Sequence, residues 1–178
     1  LLGLGASTGT LRSSYWTSSR EVDGRDRLGT LTLWVRAAPR LGAAGSLVVD
    51  GWFGYLDLSG DDVTTGSVRE AYLDLQLGRL DVRAGKRIIA WGRADAVNPT
   101  DNLTPRDYTL LVADDADQRF GVYSAELALH AGSLSFTGIW LPGFQPNVVP
   151  LPSSPTFRER SPGWVESQAQ VAFKVEQS

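Results

Sequence analysis

The chain has no cysteine. Disulfides and thiolate metal sites are therefore excluded. It has one histidine, His130, so a histidine-built zinc site cannot form and a Ser-His-Asp triad has a single possible base, with no nucleophile-elbow motif to go with it. No run of about eighteen apolar residues occurs, so a membrane-spanning helix is excluded. No basic-then-apolar leader opens the sequence. An excess of one charge is also lacking. The net charge is −3 with 21% charged and 42% hydrophobic residues, which is neither the composition of a disordered chain nor the dense basic face that nucleic acid requires. The glycines of "GLGASTG" have the wrong spacing for a dinucleotide fingerprint, and no phosphate-loop lysine follows any glycine run. No cofactor is expected.

Helical periodicity is scarce as well. Period-two alternation takes its place, and this is the signature of strands. In "TLTLWVRA", Leu31, Leu33, Val35 and Ala37 share one face, and Trp34 and Arg36 lie on the other. In "REAYLDLQL", Ala71, Leu73, Leu75 and Leu77 oppose Glu70, Tyr72, Asp74 and Gln76. Leu80, Val82 and Ala84 oppose Asp81 and Arg83, and Tyr123, Ala125, Leu127 and Leu129 oppose Glu126 and His130. Near the end, Val171, Phe173 and Val175 oppose Gln168, Gln170 and Lys174. The pattern predicts eight strands, at about 8–18, 28–38, 45–58, 67–77, 80–86, 119–131, 133–142 and 164–176.

The expected connections alternate in length. "SSREVDGRDR", "SGDDVTTG", the stretch 86–118 and residues 142–163 read as long, whereas "PRLGAAG", Gly78-Arg79 and Ala131-Gly132 read as short. In an up-and-down meander this places short turns at one end and long loops at the other, the asymmetry of outer-membrane barrels. Mid-strand charges (Asp50, Glu70, Asp74, Arg83, Glu126) suit a wet lumen. Aromatics near strand ends (Tyr15, Phe53, Tyr55, Tyr123, Trp140, Trp164) suit interfacial girdles. The fold class read from this pattern is all-β, an antiparallel up-and-down transmembrane β-barrel with a long inward loop. A soluble sandwich would show similar alternation with its apolar face turned inward.

Residues 67–108 carry a resemblance. "REAYLDLQLGRLDVRAGK" followed by "WGRADAVNPTDNLTPRDY" resembles Gram-negative outer-membrane barrels of the alginate-export and porin-like type. The resemblance implies an outer-membrane location, a transport or export role and a barrel of many more than eight strands. Members of that type end in a strand with a terminal aromatic residue, whereas this sequence closes at Ser178. The expectation is that residues 1–178 are one barrel domain or the N-terminal portion of one. Membrane lipid and lipopolysaccharide would surround it, a small or polymeric solute would pass through it, and envelope proteins are possible partners.

The stretch 86–118 interrupts the alternation with opposed charges. Asn98-Pro99 and Thr104-Pro105 break helix and central strand alike, so it reads as an ordered loop. Its expected role is to narrow the lumen. Lys86, Arg87, Arg93 and Arg106 would present charge, Asp95, Asp101 and Asp107 would orient the guanidinium groups, and Trp91 sits among them. The structural alternative is a salt-bridge network that pins the loop to the wall. Asp50, Trp52, Glu70, Tyr72, Asp74, Arg83, Glu126, His130, Gln168 and Gln170 would line the lumen. Asp95 and Asp101 form the one carboxylate pair suggestive of glycosidase chemistry, but carboxylates set among arginines stay ionised, which does not suit a general acid. No enzymatic activity is expected. Two other readings accompany the channel: a plugged, non-conducting barrel that anchors an envelope complex, and a soluble secreted carbohydrate-binding β module.

Overall fold

A computed structural model describes residues 2–22, 25–58, 61–89, 103–110, 112, 114–149 and 168–177. The chain is all-β, with eight strands: β1 (Leu2–Val22), β2 (Arg25–Leu41), β3 (Gly45–Leu58), β4 (Asp61–Leu77), β5 (Leu80–Arg87), β6 (Val122–Ala131), β7 (Leu134–Leu141) and β8 (Gln170–Gln177). Each pairs antiparallel with the next, in the order β1 to β8, within a single sheet. Among the described residues β1 and β8 do not pair with each other, so the sheet is open.

Two connections expected to be long are instead strand. β1 continues to Val22 and β2 begins at Arg25, while β3 ends at Leu58 and β4 begins at Asp61. Val22 pairs with Arg25, Thr64 with Tyr55 and Val63 with Leu56. The ladder satisfies the backbone whatever the side chains are, so polar sequence continues as hairpin where neither face needs a core. The remaining long connections, 88–121 and 142–169, leave from that same end. At the opposite end Gly78 and Gly132 take φ of 70° and 64° in two-residue turns, the left-handed conformation that I′ and II′ hairpin turns need at their first position.

The sheet exposes its apolar face and covers its polar one. One face carries Leu11, Leu33, Val35, Phe53, Val68, Leu73, Leu127, Phe136, Val171 and Phe173, all exposed. The register places them in rows across the strands, as in Leu11↔Leu33↔Phe53 and Val82↔Leu127↔Gly138. Tyr15, Phe53, Tyr55, Tyr123 and Trp140 stand exposed on this face toward the end where the long connections leave. The opposite face holds the buried residues: Trp34, Trp52, Glu70, Arg87 and Glu126 are each less than 10% exposed. What covers them is the connection between β5 and β6 with part of that between β7 and β8. Its stretches 103–110 and 114–121, together with 144–149, join by hydrogen bonds from Asp107 N to Gln118 O (2.8 Å), Phe120 N to Pro105 O (3.2 Å) and Tyr108 N to Val148 O (2.8 Å).

Candidate functional site on the polar face

The site begins with a register shift. Asp50 of β3 pairs with Glu70, but the next residue, Gly51, pairs with Val68, so Arg69 is the extra residue of a β-bulge. A bulge sets two residues of one strand against one of its partner and re-aims a side chain. Arg69, which strict alternation would send to the apolar face with Ala71, therefore joins Glu70 on the polar face.

Around that bulge lies a charge network. Arg36 Nη1 donates to Glu70 Oε2 at 2.8 Å and stands 3.6 Å from Asp50 Oδ2. Arg69 Nη1 is 3.5 Å from Asp50 Oδ1. The directly opposed carboxylates of Asp50 and Glu70 would repel one another, and the two arginines compensate them. Glu70 Oε1 also accepts from Ile88 N at 2.9 Å, which ties the start of the long connection to the wall. A second group sits one strand further along. Glu126 accepts from Arg87 at 2.7 Å and from Arg83 at 3.0 Å, and Arg83 reaches Asp74 at 3.3 Å. Arg87 lies 5.8 Å from the Tyr72 ring centroid.

Aromatic groups occupy the adjacent rows. Trp34 and Trp52 are cross-strand partners with ring centroids 6.0 Å apart, and Leu110 packs on them. The guanidinium groups of Arg12 and Arg69 lie 4.6 Å and 5.0 Å from the Trp34 centroid, within cation–π range. Arg12 also pairs with Asp117 of the covering segment. A cavity of about 230 Å³ separates this segment from the wall, with Trp52, Ser67, Arg69, Asp117, Gln118 and Phe120 among its lining.

Of the residues singled out from sequence, Asp50, Trp52, Glu70, Tyr72, Asp74, Arg83, Glu126, His130 and Gln170 lie on the polar face. Gln168 precedes β8 and is exposed. Arg87 is buried on that face. Lys86 is a correction: alternation along β5 puts it opposite Ala71 and Tyr123 in the outward rows, with its ammonium on Val68 O at 2.6 Å, so it belongs to the apolar side. In the covering segment Arg106 N donates to Asn147 Oδ1 at 2.8 Å, and the Asp107 carboxylate accepts from Thr109 N at 2.9 Å and from the Thr109 hydroxyl. Trp91, Arg93, Asp95 and Asp101, like Trp164 of the expected girdle, lie outside the described residues.

Sequence reasoning placed Arg36 on the polar face without giving it a role, and missed the roles of Arg12, Arg69, Asp117 and Thr104. For Arg69 a signal existed. "RE" puts two charges side by side in a strand whose other face is apolar, and only a bulge sends both inward. The structure also brings Asp81, His130 and Ser135 together, with His130 Nε2 3.0 Å from Asp81 and Nδ1 3.0 Å from the Ser135 hydroxyl. This is hydrogen-bonded like a triad but placed unlike one. Ser135 lies within β7, flanked by β6 and β8, where backbone N–H groups serve the ladder rather than an oxyanion hole, and Glu176 stands directly across from it. A carboxylate there would oppose the developing negative charge of a tetrahedral intermediate.

No protein-family model, curated protein or solved structure matches the chain.

Proposed function

We propose that this chain forms wall of an outer-membrane β-barrel that passes or exports a solute, with residues of the 86–118 connection folded over the luminal face. The observation that carries the reading is the inverted sheet. On β2 the outward apolar residues run from Leu31 to Leu41. At about 3.4 Å per residue and a tilt near 40°, ten steps rise about 26 Å, close to the roughly 25 Å apolar band of such barrels. A soluble sandwich would bury these residues and expose Glu70 and Glu126. Lipid and the acyl chains of lipopolysaccharide are the surroundings that suit this face, and the exposed aromatics fit an interfacial girdle. The resemblance of residues 67–108 to alginate-export and porin-like barrels points the same way. No catalytic role is assigned, because Ser135 lacks the surroundings a nucleophile needs.

A second reading, a plugged barrel that anchors an envelope complex, draws on the covering of the polar face by 103–110, 114–121 and 144–149. One experiment separates the possibilities. The protein is expressed with an outer-membrane leader, and the membrane fraction is run boiled and unboiled, then reconstituted in planar bilayers. A heat-shifted band with conductance is the expected result. A heat shift without conductance supports the plugged barrel, and a detergent-independent soluble protein overturns both.

A further inference from the structure

The covering segment is fastened differently along its length. At 103–105 the attachment is apolar and sealed. Leu103 packs against Ile89, Val122, Ile139 and Leu141, none more than 2% exposed. The Thr104 hydroxyl accepts from Ile89 N and donates to Ile89 O, both at 2.8 Å. At 114–121 the attachment is polar and centres on one side chain. Arg69 Nε donates to Arg119 O at 3.0 Å, Nη2 donates to Ala116 O at 2.8 Å, and Nη1 lies 4.0 Å from Asp117. The Arg69 carbonyl accepts from Gly121 N at 2.9 Å. Between this arm and the wall is the cavity of about 230 Å³.

We propose that the 114–121 arm is a releasable gate, held at both ends by the sealed cluster that contains Val122 and packs Leu103, and latched between them by Arg69, resting on the reading of the polar face as a lumen. The bulge makes the latch reversible. When the arm lifts, Arg69 keeps Asp50 on the wall, so its charge is not left without a partner. The arm loses the two carbonyl contacts of Arg69, the Gly121 N–Arg69 O bond, the pairing of Asp117 with Arg12 and Arg69, and its backbone bonds from Asp107 N to Gln118 O and from Phe120 N to Pro105 O, all of which water can replace. Arg12 holds Asp117 from β1 in the same manner, so the latch is ionic on both sides.

The test uses the full protein in detergent and in planar bilayers, with Arg69→Ala. Limited proteolysis by thermolysin, with fragments assigned by mass spectrometry, reads arm release, because cleavage of a fast-opening segment tracks its open population. Cleavage within 114–121 is expected to rise about tenfold or more, with cleavage at 103–105 unchanged, as local opening confined to one unit requires. Single-channel conductance is expected to increase. Wild-type cleavage in a variant that keeps its heat-shifted band overturns the latch. Should Arg69→Ala fail to fold, Asp117→Asn alters only the arm side of the contact, and an unchanged cleavage rate there overturns the proposal equally. Faster arm cleavage in a protein that never conducts upholds the latch and removes the channel.

Discussion

Glu126 offers the sharpest check on whether the polar face is sealed or wet. It is 6% exposed and accepts from Arg87 at 2.7 Å and from Arg83 at 3.0 Å. Arg87 is itself 8% exposed, and Glu126 is the one carboxylate bonded to it among the described contacts. Glu126→Ala leaves that guanidinium buried without its counter-charge, and breaking a buried pair from one side costs about 3–5 kcal/mol. Arg83 adds less than about 1 kcal/mol, because its side chain is 34% exposed and it keeps Asp74 at 3.3 Å. A net loss of about 3 kcal/mol is expected for Glu126→Ala and about 2 kcal/mol for Glu126→Gln, whose amide oxygen still accepts a hydrogen bond. The double replacement Arg87→Met with Glu126→Leu should recover to within about 1 kcal/mol of wild type, since apolar side chains can substitute for a buried pair. Urea unfolding followed by tryptophan fluorescence in lipid or detergent gives these differences by linear extrapolation. A loss below about 1 kcal/mol for Glu126→Ala refutes the reasoning, because water would then be screening the pair beneath the covering segment.

Three further substitutions probe separate features. Leu127→Arg, in the middle of the exposed apolar face of β6, should cost about 2–4 kcal/mol in a bilayer, and unchanged stability there counts against lipid contact. Gly85 has φ of 135°, and an added Cβ would lie 2.4 Å from Ala71 O and 2.7 Å from Tyr72 Cα, so Gly85→Ala should lower the urea midpoint by the equivalent of about 2–3 kcal/mol. Gly132→Ala, with φ of 64° and open space around it, should cost only about 1 kcal/mol. Thr104→Val removes the hydroxyl that serves both backbone groups of Ile89 and should cost about 2 kcal/mol, with faster amide exchange at Ile89 as its local signature.

The strands were legible in the sequence because the alternation has physical consequences on both faces. Ala71, Leu73, Leu75 and Leu77 share one face and Tyr72, Asp74 and Gln76 the other, as the period predicts. The turns at Gly78 and Gly132 were legible for a similar reason, since glycine takes the positive φ there without strain. Boundaries failed where polarity was read as loop. "DDVTT" remains in the ladder, and "SSREV" continues as strand across an irregularity to the Val22–Arg25 pair, because hydrogen bonding between strands does not depend on burial. The site was legible on its sheet side and not on its covering side. Glu126 and Arg83 could be placed by parity, but the contact of Asp117 with Arg12 joins residues 105 positions apart, and no local pattern encodes that distance. Arg69 falls between the two cases. Its position depends on a bulge, and one extra residue reverses the parity of everything before it in β4.

The charges of the polar face set what ion flow should look like under the proposed channel. Arg36 faces Glu70 and Asp50, Arg69 and Arg12 face Asp117 with Arg69 also near Asp50, Arg83 and Arg87 face Glu126 with Arg83 also near Asp74, and Lys174 faces Glu176 at 2.6 Å. Such a surface is polar yet locally balanced in sign, so it favours hydrogen bonding to a solute over selection by charge. If ions pass along it, removing one member of a pair should create selectivity where little existed. Asp50→Asn leaves Arg12, Arg36 and Arg69 with only Glu70 and Asp117, one positive charge in excess, so the reversal potential under a salt gradient should move toward anion preference. Arg36→Gln should move it toward cations. Because the two residues are cross-strand partners, the opposite signs cannot come from a difference in position along the pore. Reversal potentials that stay together in both variants would place the ion path elsewhere and leave the network with a structural role alone.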